Sequence, residues 1–578
     1  MNVFTGIAGS DGIAIGKALL YMNQPVAIDR NSIAAEQVAS EQQRLKNAVQ
    51  AVKKQIEQMI DKINRKVGTK EAEIFEAHLS VLEDPEVIDN AIDLIASQRI
   101  KADNAADLSI RKVSDFLSSL DDEYMKARSA DILDVGDRLI REITGQQTKS
   151  LAMLPENCIL VSHDITPSDT AEMDSSKVLA IVSEVGSKTS HAVILSRSLG
   201  IPAVIGVKGI TTSLHDGDAV IVNGIAGNVI VHPDEQQLAK AEEQKEHNRI
   251  QRESILKTAF TNAVTLDGVT VKVEGNIGTP AETDLILQNG GDGIGLFRSE
   301  LFYMNRNTFP TEEEQYNSYR EVAEKMGEKQ VIIRTMDIGG DKRLSYFDLP
   351  EEMNPFLGYR ALRVSLEYTE VFKTQLRAIL RASCYGNLAV MFPMVSCVEE
   401  IRQAKALLKE CKEELKANGV LYNEAIKIGI MIEIPAIALQ AQSAAKEVDF
   451  FSIGTNDLLQ YSLAVDRMND RVAHLYKPYH PGVLMLIKHI IESAHKEGIP
   501  VGMCGEMASD PTLAVILLGF GLHHFSMNPV SIPIIKDTIR SLSAKKCQDI
   551  ADTCLTFSTG SEVESYILSH LKRSSFKN

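Results

Sequence analysis

The sequence contains no CxxC pair, and its seven cysteines, Cys158, Cys384, Cys397, Cys411, Cys504, Cys547 and Cys554, are odd in number and scattered. That argues against a disulfide framework or a structural zinc site and predicts reduced thiols. No window approaches the roughly 18 consecutive uncharged apolar residues of a membrane-spanning helix. The opening MNVFTGIAGSDGIAIGKALLY lacks the basic flank and unbroken apolar run of a signal peptide. The expectation is a soluble, cytoplasmic protein with no membrane insertion. Basic charge is also short, with 61 Lys and Arg against 78 Asp and Glu, a net of −17. Such a surface repels nucleic acid and anionic lipid and suits a basic protein partner. What remains is globular in composition, 44% hydrophobic and 24% charged. A chain of 578 residues has room for roughly three to five domains, each with an ample core.

Three patterns divide the chain. Residues 1–20 are Gly- and Ile-rich and read as strand and turn. From about Ala27, apolar residues recur at three- and four-residue spacing with almost no Gly or Pro, so 21–147 reads as a helical bundle. Pro85, just after LED, predicts a helix break and restart. Residues 148–232 alternate short apolar runs (CILVS, VLAIVS, PAVIG, AVIVNG, NVIVH) with turns. They predict a compact β/α domain that recruits residues 1–20, with the bundle as an insertion. Residues 233–258 are highly charged and read as a solvated linker helix. In 259–578, eight apolar runs (VKVEGNIG, GIGLFRSE, VIIRTMDIGG, AVMFPMV, IGIMIEIP, FFSIGTND, VGMCGEMA and HHFSMNPV) are mostly separated by amphipathic stretches. The expected fold is multidomain α/β, ending in a (β/α)8 TIM barrel.

Chemistry concentrates in two places. In GSKTSHAVILSRSLGIPAVIG, Gly186 is expected to end a strand, with Thr189 and Ser190 capping the next helix. His191 then falls in the first helical turn. There the positive end of the dipole lowers the imidazole pKa and stabilises an anion on the ring, as a phosphohistidine requires. In the barrel, strand ends carry Arg298, Arg334 and Asp337, Glu433, Asn456 and Asp457, and Cys504 and Glu506. Arg298, Arg334, Arg360 and Arg467 suit a phosphate and carboxylate clamp. Glu433 and Asp457, one βα unit apart, suit magnesium. Cys504, in a Gly-flanked turn, is mostly protonated at neutral pH and could give a proton to an enolate.

TSHAVILSRSLGIPAVIG resembles the phosphohistidine signature shared by Enzyme I of the bacterial sugar phosphotransferase system, pyruvate phosphate dikinase and phosphoenolpyruvate synthase. RTMDIGGDK, NPFLGYRALR, IEIPA, SIGTNDLLQY and GMCGE resemble the phosphoenolpyruvate-binding domain of Enzyme I, and the likeness covers nearly the whole chain. The resemblance implies that His191 is phosphorylated, with Thr170 assisting. Arg298, Arg334 and Arg467, with the Asn456–Asp457 region, hold phosphoenolpyruvate, and Arg360 assists. Glu433 and Asp457 bind Mg2+, which Mn2+ could replace. Cys504 protonates the enolate carbon. The acceptor would be the phosphocarrier protein HPr, docked on the helical insertion, for which Glu71, Glu73, His78, Glu83 and Asp84 are candidates. A homodimer through the barrel is also implied. One departure stands beside His191. The family often reads Gly-Gly-Arg-Thr-Ser-His, whereas Ser187 and Lys188 stand here, a point charge in place of a bidentate Arg. A dikinase- or synthase-like phosphotransferase is the alternative, but no GxxxxGK[ST] phosphate loop occurs.

Overall fold

Near the start, Gly12 supplies a positive φ of 135° that lets one strand turn back into the next. The strands are β1 (Val3–Thr5), β2 (Ile7–Ser10) and β3 (Ile13–Tyr21). This computed structural model describes residues 2–21, 27–66, 75, 78–119, 123–146, 151, 154, 157–166, 169, 173–186, 193, 196–197, 200–304, 306–340, 342, 344, 346–347, 349–350, 352–467, 469 and 471–572. They form two units, Met1–Ile250 and Gln251–Asn578.

In the first unit the opening strands join β4 (Cys158–Ser162), β5 (Val178–Ser183), β6 (Ala203–Ile205), β7 (Ala219–Asn223) and β8 (Asn228–Val231). The sheet order is β1-β8-β7-β3-β4-β5-β6-β2, with β3 to β6 parallel. Period-two alternation explains why β4 is apolar throughout. Ile159 and Val161 enter the core on one face, and Cys158 and Leu160 the core on the other. β5 ends at Ser183, before Gly186, because the Ser183 hydroxyl donates to the Val185 carbonyl at 2.7 Å and turns the chain.

Between β3 and β4 run α1 (Val38–Lys66), α2 (Pro85–Gln98), α3 (Ala102–Ser119) and α4 (Glu123–Thr144). Leu45, Val49, Val52 and Ile56 form one buried stripe of α1 in a core separate from the sheet's. α2 starts where Pro85 can occupy its first turn, with the Asp84 carboxylate accepting from Glu86 N–H at 2.9 Å. α5 (Glu235–Thr258) is charged and largely exposed.

In the second unit β9 (Ala263–Val264) lies antiparallel to β10 (Thr270–Ile277). Eight parallel strands then close on themselves. They are β10, β11 (Ile294–Arg298), β12 (Val331–Arg334), β13 (Leu388–Phe392), β14 (Lys427–Ile432), β15 (Phe450–Ile453), β16 (Val501–Met503) and β17 (His524–Met527). β10 pairs with both β11 and β17, which completes the barrel. Alternation again sorts the side chains. Leu296, Ile332, Met391 and Met431 fill the barrel, while Phe297, Ile333, Val390 and Ile432 pack under the surrounding helices. Each of the eight apolar runs of the sequence covers one of these strands, three of them all but its first residue.

Candidate active site

The strand ends of the barrel deliver charge into a buried layer. Arg334 closes β12 and Glu433 follows β14 directly, at 6% and 1% exposure. Arg334 pairs with Glu300 and, at 3.1 Å, with Asp337. Arg360 donates to Asp337 at 2.9 Å and lies 3.6 Å from Asp457. Lys342 reaches Glu300 at 2.9 Å and Asp337 at 3.1 Å. Three cations therefore face four carboxylates, Glu300, Asp337, Glu433 and Asp457, in one low-dielectric region.

Burial alone would raise every carboxyl in that layer, but the outcomes diverge with the neighbours. At Glu300, Arg334 and Lys342 outweigh burial and hold the carboxyl at about 2. At Asp337, Lys342, Arg334 and Arg360 likewise overcome burial and keep it well below the usual carboxylate range. Glu433 goes the other way. Burial, reinforced by Asp457 and Asp337, pushes it up to about 8 despite both arginines. Its Oε1 accepts from Met394 N–H at 2.6 Å. Its Oε2 faces Gly454, where a Cβ would lie 2.9 Å away. A buried carboxylate pair in which one member is this reluctant to ionise fits a hard divalent cation. Among the described residues no group of three or more His, Cys, Asp and Glu could hold a metal, so remaining ligands would come from substrate and water.

The layer also holds unused donors. Nε of Arg334 and Nε of Arg360 are buried and have no hydrogen-bond partner among the described residues. A bound anion with several oxygens would satisfy both. Arg298, at the end of β11, is exposed, and Arg467 is half-buried with its N–H bonded to Gln460 Oε1 at 3.2 Å. Tyr476 donates to the Asn456 carbonyl at 3.3 Å and interacts with Arg467, which ties those two positions together. Asn456 Oδ1 accepts from Glu506 N–H at 3.1 Å. Cys504, one residue past β16, is 4% exposed, and burial pushes its thiol up, which keeps it protonated.

In the first unit, His191, Thr170, Glu71 and Glu73 lie outside the described residues, as do Ser187 and Lys188. Glu83 pairs with Lys53 at 2.9 Å and is exposed, and Asp84 caps α2. His78 does not sit on an exposed face. It is 1% exposed, edge-on to Phe75 at 5.3 Å, because Phe75, His78 and Leu82 share the core side of their segment. Glu300, Lys342 and Tyr461, whose hydroxyl accepts from Arg360 at 3.2 Å, were not singled out in the sequence. Glu300 has a signal in retrospect, two residues beyond Arg298 in the FRSE turn.

A layer of buried arginines and carboxylates at the strand ends of a barrel fits the class of barrel enzymes that act on small anions. Comparison with known proteins sharpens that class. Residues 252–544 match PEP-utilising enzyme, PEP-binding domain; residues 5–128 match PEP-utilising enzyme, N-terminal; and residues 154–227 match PEP-utilising enzyme, mobile domain. Phosphoenolpyruvate-protein phosphotransferase of Staphylococcus aureus is 45% identical over 99% of this chain and 100% of its own. That of Geobacillus stearothermophilus is 45% identical over 97% of each. A solution structure of an Enzyme I protein is 39% identical, covers 43% of this chain and 99% of that one, and has a TM-score of 0.39. The chain belongs to the PEP-utilising enzyme family, in its phosphoenolpyruvate-protein phosphotransferase (Enzyme I) branch. Among the described residues no helix is long and apolar enough to cross a membrane.

Proposed function

We propose that this enzyme transfers the phosphoryl group of phosphoenolpyruvate to its own His191, and from there to a histidine of HPr. The observation that carries the reading is the pair of unspent buried guanidinium donors, Nε of Arg334 and of Arg360, beside the Glu433–Asp457 carboxylates. In this reading Arg298, Arg334 and Arg467, with the Asn456–Asp457 region, hold the phosphate and carboxylate of phosphoenolpyruvate. Arg360 orients Asp337 and Asp457 and offers its free donor to the phosphate. Fixed guanidinium charge in a low-dielectric site stabilises the charge that develops as the phosphoryl group moves. Glu433 and Asp457 would hold a divalent cation, Mg2+ by preference, which supplies Lewis-acid stabilisation of phosphate and enolate oxygens. The imidazole of His191 attacks phosphorus in line, with Thr170 assisting. Cys504, kept protonated by burial, gives its proton to the enolate carbon and pyruvate forms.

One histidine must then meet two partners at different times. The charged helix α5 is the segment we assign to that exchange. HPr would dock on the helical insertion, with Glu71, Glu73, Glu83 and Asp84 as the acidic face offered to a basic partner. A homodimer through the barrel and a cytoplasmic location complete the proposal.

The test is intact mass after incubation with phosphoenolpyruvate and magnesium, without nucleotide, beside His191→Ala. One acid-labile phosphoryl group, absent from the variant, is the expected result. No addition, or addition only with ATP, sinks the reading.

A further inference from the structure

Two residues of the helix Thr455–Leu463 face the same guanidinium. Asp457 and Tyr461 are four apart on that helix and so share one of its faces. Arg360 Nη2 lies 3.6 Å from Asp457 Oδ2, and Arg360 Nη1 donates to the Tyr461 hydroxyl at 3.2 Å. That hydroxyl in turn donates to the Phe356 carbonyl at 2.5 Å. Phe356 and Arg360 belong to one segment, NPFLGYRALR, so a single phenol holds both its backbone and its arginine.

A guanidinium is planar, and its donors keep fixed directions relative to one another. Asp337 meets Arg360 through Nη2, at 2.9 and 3.2 Å. One anchored nitrogen leaves the plane able to swing about it. The Tyr461 contact anchors the other terminal nitrogen, and two anchors fix the plane. The direction of Nε follows from them. Nε of Arg360 is buried and has no hydrogen-bond partner among the described residues. Tyr461 therefore decides where that unspent donor points.

The backbone beside Arg360 is held as well. Ala361, fully buried, stands at φ 54° and ψ −123°, a conformation that a residue with a Cβ rarely adopts. Its N–H donates to the Ile338 carbonyl at 2.8 Å. Gly339, at φ 104°, lets the chain after β12 come so close that a Cβ there would lie 2.7 Å from Arg360 Cβ. Strain of this kind persists only where the surroundings over-determine it. Here it sets the root of the Arg360 side chain, and Tyr461 sets the tip.

We propose that Tyr461 is a positioning residue for phosphoryl transfer, holding the Arg360 guanidinium in the orientation that presents Nε to the substrate phosphate. The inference rests on the phosphoryl-relay reading, in which Arg360 offers that donor to phosphoenolpyruvate. The phenol itself touches no reacting atom and acts only through the arginine.

The full-length enzyme is mixed with phosphoenolpyruvate and Mg2+, and phosphoenzyme formation is followed by rapid quench in wild type, Tyr461→Phe, Arg360→Lys and the double variant. Tyr461→Phe keeps the ring and every charge. It should slow phosphoenzyme formation at saturating phosphoenolpyruvate about 10- to 100-fold, as a misplaced donor does. The half-saturating concentration should rise about threefold or less, because the lost alignment matters most in the transition state. In Arg360→Lys, which has no fork to orient, the same change should slow the reaction about twofold or less. A hydroxyl that merely supports the fold would cost a similar factor in both backgrounds, and that result overturns the proposal. So does an unchanged rate in Tyr461→Phe, or an effect confined to the half-saturating concentration. Should Tyr461→Phe not fold, Tyr461→Met, whose flexible side chain refills the space, carries the same expectations. Failure of the wild type to form phosphoenzyme would instead strike at the phosphoryl-relay reading itself.

Discussion

The barrel mouth and the helical insertion are built from the same charged residue types, and they use them oppositely. In the insertion, ion pairs lie on the surface. Lys53 and Glu83 meet at 2.9 Å, with the Glu83 side chain 66% exposed. Water and salt screen such a pair, and side-chain entropy opposes it. At the mouth, Arg334, Arg360, Glu300 and Asp337 are all 6% exposed or less and share partners. Desolvation there is large, so each charge is tolerated only because another answers it. The net charge of −17 says nothing about this division, because charge acts through the dielectric around it.

The sharpest way to break the comparison is Asp337→Ala. Asp337 answers Arg334 at 3.1 Å, Lys342 at 3.1 Å and Arg360 at 2.9 Å. Removing it leaves two buried arginines and the half-buried Lys342 with too little negative charge. The barrel's unfolding transition should fall by about 3–5 kcal/mol, alongside loss of phosphoenzyme formation. Denaturant unfolding of the full chain, followed by a probe on the barrel, measures it. A loss near zero would show that the mouth is as well screened as the insertion.

Glu433→Gln sharpens the contrast inside the mouth itself, because Glu433 is the carboxylate the mouth does not satisfy. Gln keeps the acceptor for Met394 N–H. The folded-state value of Glu433, about 8, lies above its ordinary 4.5, so the folded state holds the extra proton between those values. Stability from this group is complete below about 4.5 and is lost as pH rises toward about 8. Compared at about pH 5 and about pH 8 without divalent cation, wild type should lose more thermal stability than Glu433→Gln. Added Mg2+ favours the ionised carboxylate and should reverse the trend in wild type only. Phosphoenzyme formation by the variant should fall about 100-fold or more. Equal pH slopes in the two proteins would show that burial does not hold Glu433 protonated, and an equal response of both to Mg2+ would remove it from the cation site.

How much of this was legible in the sequence follows the same division. The barrel strands stood out because strands covered on both faces read as unbroken apolar runs. Arg334, Glu433, Asp457 and Cys504 stand out as candidates because they sit at or just past the ends of those runs, where a barrel places its chemistry. Glu300 and Lys342 do not, because a charged residue in a connecting segment looks solvated until closure of the barrel brings it over a buried arginine. His78 was taken for surface from its acidic neighbours, while its spacing with Phe75 and Leu82 already placed it on the core stripe.

The smallest expected effects belong to the insertion, where two adjacent carboxylates separate surface charge from backbone capping. Glu83→Gln removes only the screened pair with Lys53, and stability should change by no more than about 0.5 kcal/mol. Asp84→Ala removes the acceptor for Glu86 N–H and should cost about 1 kcal/mol through loss of the cap on α2. Phosphotransfer to HPr separates them again. If the acidic face steers a basic partner, Glu83→Gln should slow the bimolecular step by about twofold at low ionic strength and leave it unchanged once salt shortens the Debye length to a few ångströms. Stopped-flow transfer at two salt concentrations reads both variants. A rate loss in Glu83→Gln that persists in high salt would mean that Glu83 makes a desolvated contact with HPr, and the insertion would then share the behaviour of the barrel mouth.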